Sequence, residues 1–272
     1  MARYTSPTQT SYGELLERMR RESPLVQCIT NFVAMNYAAN VLLAAGASPA
    51  MVHAPEEAGE FAGLAGAVTI NIGTLSSNWL EGMRVAANAA NHADRPWVLD
   101  PVAHFATAFR RQAIEQLLEL RPTVIRGNAS EIMALAGDAS SGRGVDAGDS
   151  VERAEASAMT LALKSRAVVA VTGAVDFVTD GHTSVRISGG SELMPRVTAM
   201  GCALTCLVGA FAAVTPEDPF LATVTALTCF SVAGTHAAQA ASGPGSFAWR
   251  FLDALAALDG NLLQAQARVV SV

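Results

Sequence analysis

Short apolar runs alternate with longer segments of helical periodicity along most of the chain. Runs rich in β-favouring residues predict strands at residues 24–30, 49–53, 67–72, 97–99, 123–126 and 167–172. The intervening segments predict helices at residues 12–21, 32–45, 56–64, 77–91, 110–120, 151–166, 217–241 and 247–259, with a short helix ending at residue 136. Two further runs, at 177–179 and 183–187, flank Asp180-Gly181 and predict a β-hairpin. Strands that alternate with helices indicate βαβ units and a mostly parallel sheet with an antiparallel edge.

The predicted fold class is therefore α/β, and we expect a single domain over residues 1–272. No linker, repeat or shift in composition divides the chain. Its 272 residues are 51% hydrophobic and 15% charged, so a large surface is expected to be buried, either in one core or between subunits. Residues 1–10 are predicted to fray, and residues 138–149 to form a loop rich in Gly, Ser and Asp.

Composition and charge argue against several classes of function. A net charge of −6 without a strong basic cluster disfavours nucleic-acid binding. The four cysteines have no zinc-site spacing, and residues 1–23 lack the apolar segment of a signal peptide, so we expect reduced thiols in a cytoplasmic protein. Residues 197–216 and 219–249 carry no Asp, Glu, Lys or Arg, but polar residues and prolines interrupt them. That pattern favours buried helices over membrane spans.

A single lysine, Lys164, limits the kinds of phosphate chemistry that are possible. The chain has no Gly-Lys-Ser/Thr, which excludes a P-loop, and no strand lysine with a His-Arg-Asp loop, which excludes a protein kinase. Any phosphate site must therefore use backbone amides and arginine.

Polar residues follow most of the predicted strands. In open α/β sheets, ligands bind beyond the carboxyl ends of the strands. The residues found there are Asn31, Gly73-Thr74, Asp100-Pro101, Arg126-Gly127-Asn128 with Glu131, Thr172-Gly173 and Ala199-Met200-Gly201-Cys202. This set suits a phosphoryl-transfer site without lysine, because it contains two carboxylates, an arginine, two threonines, an amide-rich turn and a thiol.

Most of these residues also have an ordinary structural interpretation. Asp100 before a proline could form an Asx turn. Asn128 and Glu131 have the spacing of a helix capping box. Arg126 could pair with a surface carboxylate. Thr172 with Gly173 could be an ordinary end of a strand. Met51, a further candidate from the end of the second strand, could simply pack in the core.

The stretch from Val197 to Thr205 combines a turn of small residues with a long apolar helix. A β-favouring segment is predicted to end near Val197. Backbone amides at the start of the following helix would attract anions. The helix dipole would also lower the pKa of Cys202 in the first turn. The alternative is a buried turn with an ordinary core cysteine.

Motifs spread over residues 12–259 resemble those of the hydroxyethylthiazole kinases. The central match is Asn128-Ala129-Ser130-Glu131-Ile132 after Ile125-Arg126-Gly127. Others are Ile29-Thr30-Asn31, Gly46-Ala47-Ser48-Pro49-Ala50-Met51, Asn71-Ile72-Gly73-Thr74-Leu75, Leu99-Asp100-Pro101-Val102, Gly142-Arg143-Gly144-Val145-Asp146, Val171-Thr172-Gly173, Val178-Thr179-Asp180-Gly181 and Gly243-Pro244-Gly245-Ser246-Phe247. The resemblance implies a ribokinase-like three-layer sandwich. It also implies that ATP phosphorylates the alcohol of 4-methyl-5-(2-hydroxyethyl)thiazole in thiamine salvage, in a homotrimer with substrate sites between subunits.

The resemblance also implies a role for each site residue. The amides of residues 199–202, with Gly201 and Cys202 as catalytic residues, would hold the transferring phosphoryl group. Cys202 stands where related kinases have an aspartate base, and its thiol, with a pKa lowered at the helix start, would serve as a weak base. Mg²⁺ would be held through Asp100 and Glu131, partly by water. The remaining roles are nucleotide binding by Arg126 and Thr172, and thiazole binding by Met51, Asn31 and Ala199.

One departure from the family pattern falls in the same stretch. The family usually has Gly-Thr-Gly-Cys where this chain has Ala199-Met200-Gly201-Cys202. Alanine at the first position is costly if the backbone there needs a positive φ, and Met200 replaces a hydroxyl.

Two other functions stay open. One is a ribokinase-fold kinase for another small alcohol, against which Cys202 argues. The other is a non-catalytic nucleotide-binding relative or a hydro-lyase.

Overall fold

One mixed β-sheet runs through the protein. A computed structural model describes residues 10–138 and 151–272. The strands are β1 Leu25–Ile29, β2 Ser48–Ala50, β3 Ala67–Asn71, β4 Trp97–Asp100, β5 Val124–Asn128, β6 Val168–Thr172, β7 Val175–Thr179, β8 Ser184–Ser188 and β9 Val269–Ser271. Their order is β2-β1-β3-β4-β5-β6-β7-β8-β9, parallel from β2 to β6 and antiparallel from there on. The predicted parallel sheet with an antiparallel hairpin edge is confirmed.

Helices cover both faces of this sheet, as the predicted three-layer sandwich requires. One layer contains α1 Tyr12–Glu22, α2 Met35–Ala45, α8 Met200–Val214, α9 Pro219–Ala240, α10 Pro244–Ala257 and α11 Gly260–Gln266. The other contains α3 Pro55–Leu64, α4 Ser77–His92, α5 Ala108–Glu119, α6 Ala129–Ala136 and α7 Val151–Ser165. Among the described residues, α9 is the one helix long and apolar enough to cross a membrane, and most of it is buried inside the protein, as in a core helix.

The alternation of side chains along the strands decides which residues face α8. In β4, Trp97 and Leu99 pack into the core on the α4 side, whereas Val98 packs into the core that contains α8. Successive side chains of a strand point to opposite faces, so Asp100 lies on the α8 side with Val98. The same alternation brings Asn71, Arg126 and Thr172 to the α8 side at the carboxyl end of the sheet.

Some element boundaries differ from the sequence-based prediction. The predicted helix at residue 32 begins only at Met35, because Asn31 Oδ1 accepts the amides of Val33 (3.1 Å) and Ala34 (3.1 Å) and forms a turn there. The predicted strand ending near Val197 is wrong. Met194–Arg196 forms a 3-10 turn around a proline, and the sheet edge beside β8 is occupied by β9. Strand β9 was not predicted. Three predictions fall mostly outside the described residues: the loop at 138–149, except residue 138; the fraying of residues 1–10, except residue 10; and the motif at 142–146.

Helix α8 begins at a strained residue. Its N-cap, Ala199, has φ 68° and ψ 2°, in the left-handed region, and no side chain caps the helix. Ala199 therefore occupies the position of the family's glycine and has a positive φ, which glycine adopts more readily than alanine. The Met200 side chain is 6% exposed and packs into the core. It therefore lies in the core, and not at the surface of the turn.

The Ala199→Gly variant should be more stable than the parent protein. A left-handed alanine costs about 1–2 kcal/mol, and glycine adds about 0.4–1 kcal/mol of unfolded-chain entropy, so the net gain should be on the order of 0.5 kcal/mol in urea unfolding. Ala213→Gly, within the same helix, is the control and should lose about 1 kcal/mol. Equal losses for both variants would contradict the strain at Ala199.

Candidate active site

A chain of side-chain hydrogen bonds connects three strand ends with helix α8. Asn31 Nδ2 donates to Asn71 Oδ1 at 2.8 Å, and Asn71 Nδ2 donates to Asp100 Oδ2 at 2.8 Å. Thr205 Oγ1, one turn into α8, donates to the same Asp100 oxygen at 2.8 Å. Asn31 Nδ2 also lies 3.3 Å from Cys202 Sγ. The predicted residues Asn31, Asp100 and Cys202 are therefore brought together, with Asn71 and Thr205 as the residues that connect them.

Asp100 is fully buried at the centre of this network. Burial raises the pKa of its carboxyl group to about 6; the charge of Arg126 opposes the rise and that of Glu131 adds to it. Its Oδ1 atom is buried and has no hydrogen-bond partner among the described residues. The recorded bonds of Oδ2 all come from side chains of other elements, so the alternative of an Asx turn is wrong.

Arg126 extends from β5 toward the first turn of α8. Its Nη1 lies 3.5 Å from Asp100 Oδ2, and its Nη2 donates to Thr172 Oγ1. A Cβ atom added to Gly201 would lie 2.6 Å from Nη1, so the guanidinium is packed directly against the helix backbone and would have to shift to make room for a larger residue there. Because its carboxylate partner is buried, the alternative of a surface ion pair is wrong. Arg126, Thr172 and Gly201 therefore lie together.

The first turn of α8 presents backbone amides next to a positive charge. The N-cap residue Ala199 has no side chain that could cap this turn, and no side-chain bond to the amides of Met200, Gly201 and Cys202 is recorded within residues 10–138 and 151–272. An uncapped helix N-terminus favours anions through its open N–H groups and the helix dipole. With Arg126 adjacent, this turn has the donors that a phosphate group needs.

Cys202 does not have the lowered pKa that its position in the helix predicted. Burial raises the pKa of its thiol to about 12, and the negative charge of Asp100 adds to the rise. The Asn31 hydrogen bond and Arg126 lower it, but by less. Loss of water and a nearby carboxylate outweigh the dipole of a single helix turn. The thiol is therefore protonated at neutral pH in the unliganded protein.

Glu131 caps the start of α6. Its Oε2 accepts the Asn128 amide at 2.9 Å, while Asn128 Oδ1 accepts the Glu131 amide at 2.9 Å, so the capping-box interpretation is confirmed. Its Oε1 accepts the amide of Ala103 at 2.9 Å. These two amides hold a buried carboxylate in a fixed orientation near Asp100. Its predicted role as a metal ligand stays a prediction.

Two further residues lie at the margins of this network. Met51, half-buried after β2, packs against the core that contains α8, as its alternative interpretation required, and its thiazole contact stays a prediction. Asp176 was missed by the sequence analysis. Its Oδ1 accepts the Gly173 amide at 2.9 Å, and burial raises its pKa to about 6 despite the opposing effects of that amide and of Arg126.

Known proteins match the chain over nearly its full length. A family model described as the hydroxyethylthiazole kinase family matches residues 16–261. A hydroxyethylthiazole kinase of Rhizobium etli is 72% identical over 94% of this chain and 99% of the relative. The solved hydroxyethylthiazole kinase of Pyrococcus horikoshii is 44% identical, with a TM-score of 0.88 over 96% of this chain and 98% of that one.

A more distant structure supports the fold alone. A ribokinase-like superfamily protein of Enterococcus faecalis has a TM-score of 0.61 at 12% identity, over 92% of this chain and 90% of that one. The predicted ribokinase-like sandwich is thereby confirmed. Through the match of residues 16–261 and its close relatives, the chain belongs to the hydroxyethylthiazole kinase family.

Proposed function

We propose that this chain transfers the γ-phosphoryl group of ATP to the hydroxyl group of 4-methyl-5-(2-hydroxyethyl)thiazole, a step of thiamine salvage. The observation that carries the proposal is the contact of the Arg126 guanidinium with both Asp100 and Gly201, at the uncapped start of α8. A cation, backbone amides and a buried carboxylate meet at one point. Family membership supplies the thiazole alcohol as acceptor.

Positioning and neutralisation of charge account for most of the catalysis in this proposal. Phosphoryl transfer has a loose transition state, with negative charge on the equatorial oxygens of the transferred group. The amides at residues 199–202 and the Arg126 guanidinium face that charge. The Thr172 hydroxyl, which accepts from Arg126, contacts the nucleotide beside it. No lysine is required for either task.

The acceptor alcohol binds on the side of Cys202 opposite the nucleotide. Asn31, Met51 and Ala199 contact the thiazole, and Cys202 lies beside its hydroxyl group. A thiol whose pKa is raised to about 12 cannot take a proton at neutral pH. Cys202 therefore orients the hydroxyl group, whose oxygen bonds to the γ-phosphorus as the bond to ADP breaks; the hydroxyl proton passes late to an oxygen of the transferred phosphoryl group.

The carboxylates fit a hard cation such as Mg²⁺. The Asp100 Oδ1 atom is buried without a hydrogen-bond partner in the described part of the chain, which suits a metal-bound water or direct ligation. Residues 10–138 and 151–272 contain no group of three or more metal-ligating side chains. Asp100 and Glu131 would therefore hold the ion with water and nucleotide oxygens, and the ion would neutralise phosphate charge when bound.

We also propose a homotrimer in the cytoplasm, with each thiazole site completed by a neighbouring subunit. Directly after Asn31, the side chains of Phe32 and Val33 are 66% and 61% exposed. Two adjacent apolar side chains at the rim of a site suit burial against another copy. All four cysteines are free, which agrees with a reducing compartment.

The purified chain should release ADP from ATP in proportion to added hydroxyethylthiazole. A coupled ADP assay with and without the thiazole alcohol measures this, with a pyrimidine alcohol as control acceptor. Turnover of the pyrimidine alone would favour a kinase for another small alcohol. Nucleotide binding without ADP release for any acceptor would favour the non-catalytic alternative.

Glu131→Gln should raise the Mg²⁺ concentration needed for half-maximal turnover by roughly 10–100-fold, the usual loss when an oriented metal-site partner is removed. Glu14→Gln is the matched control, because Glu14 completes an equivalent capping box with Ser11 in α1. It should leave the Mg²⁺ requirement unchanged. An unchanged requirement in Glu131→Gln as well would leave Glu131 with a capping role only.

Cys202→Ala should lower kcat by less than the roughly 100-fold that loss of a general base costs, whereas Cys202→Asp should keep or raise it. Since the thiol stays protonated, parent and Cys202→Ala enzymes should have the same pH profile from pH 6 to 9. Cys206→Ala, one turn along α8, is the control. A pH limb that disappears with Cys202 would make the thiol the base.

A further inference from the structure

Arg110 makes an unusual set of contacts beside the candidate site. It lies in the first turn of α5, and its Nη1 donates to the carbonyl oxygens of Ile72 at 2.7 Å and Val102 at 2.9 Å. Its Nη2 donates to the carbonyl oxygen of Gly73. One guanidinium therefore holds three backbone carbonyls, and no carboxylate is recorded among its partners in the described residues.

The three carbonyls belong to the two loops that leave β3 and β4. Ile72 and Gly73 follow Asn71, whose Oδ1 accepts the Gly73 amide at 2.9 Å. Val102 precedes Ala103, whose amide donates to Glu131 Oε1. The loops are also joined directly, because the Ile72 amide donates to the Asp100 carbonyl at 3.3 Å.

The position of Arg110 in its helix is electrostatically unfavourable. Thr107 caps α5, and its Oγ1 accepts the Arg110 amide at 3.2 Å. A cation in the first turn of a helix is repelled by the helix dipole. Three charge-assisted hydrogen bonds to carbonyls offset that repulsion. The residue is therefore better explained by the loops that it joins than by the stability of α5.

We propose that Arg110 is a positioning residue, which sets the placement of Asp100 and Glu131 by clamping the loops after β3 and β4. The proposal rests on the phosphoryl-transfer function proposed above for this site. A planar guanidinium holds its donors in fixed directions toward the three carbonyls; an ammonium group is a point charge on a flexible stem and fixes their positions less well. Arg110 does not contact the reacting groups and acts through Asn71, Ala103 and the two carboxylates.

Arg111→Ala is the matched control for this proposal. Arg111 is the next residue of α5, and its Nη1 donates to the Phe105 carbonyl at 2.8 Å in the same loop after β4. Removing it deletes a guanidinium-to-carbonyl bond of the same kind without releasing the loop after β3.

Arg110→Ala and Arg110→Lys should each lower kcat, by roughly 10–100-fold for alanine and less for lysine, and raise the Mg²⁺ requirement, since displaced metal-site partners cost that much. The KM for the thiazole alcohol should change little. Hydrogen–deuterium exchange should speed up at the amides of Gly73 and Ala103. Arg111→Ala should leave all three measurements near those of the parent.

The proposal would be overturned if folded Arg110→Lys kept the kcat and the Mg²⁺ requirement of the parent enzyme. It would also be overturned if Arg111→Ala changed these values as much as the Arg110 variants do. Arg110→Lys keeps the charge and serves if Arg110→Ala does not fold. Absence of any thiazole phosphorylation by the parent enzyme would refute the proposed function instead. In that case the exchange of Gly73 and Ala103 still decides whether Arg110 clamps the loops.

Discussion

The buried carboxylate of Asp100 is the constraint on which the site depends. An ionised carboxylate removed from water is strongly destabilising unless other groups compensate it. Here Asn71, Thr205 and Arg126 all approach Oδ2, from three different elements. Satisfying this one oxygen fixes β3, β5 and α8 relative to β4. The other oxygen, Oδ1, is buried and has no hydrogen-bond partner among the described residues, so the network that stabilises the fold leaves half of this carboxylate unsatisfied.

The same network gives Cys202 and Glu131 properties that their local sequence does not indicate. At Cys202, burial and the Asp100 charge reverse the effect expected of a helix start, and the thiol pKa rises. At Glu131, the capping box is present as predicted, yet its second oxygen holds Ala103 in the loop after β4. Glu131 therefore contributes both to the start of α6 and to the shape of the loop that follows Asp100.

The sequence was sufficient for the architecture and for part of the site. Periodicity located most of the elements, and the rule that parallel strands place their carboxyl ends together brought Asn31, Asp100, Arg126 and Thr172 to one edge. Thr205 could not be found this way, because it lies within the apolar run predicted as a helix and its contact with Asp100 depends on how α8 packs against the sheet. Asn71 belongs to a motif of the family resemblance, but it lies inside the predicted strand 67–72, so its contact with Asp100 was not predicted. The raised thiol pKa of Cys202 was missed because burial depends on tertiary packing. Strand β9 was too short and too distant from β8 for its pattern to be recognised.

Arg126 and the start of α8 are both positive, yet they are packed against each other. The guanidinium lies within 2.6 Å of the place that a Cβ atom on Gly201 would occupy, and the uncapped amides there carry the positive end of the helix dipole. The two repel, and Asp100 offsets only part of that repulsion, at 3.5 Å and with a carboxyl pKa raised to about 6. A polyanion bound next to both the guanidinium and the helix start would offset the remaining repulsion. The helix start is kept in this position although Ala199 adopts a strained, left-handed conformation there. In the proposed function, triphosphate binding would therefore stabilise a geometry that already exists.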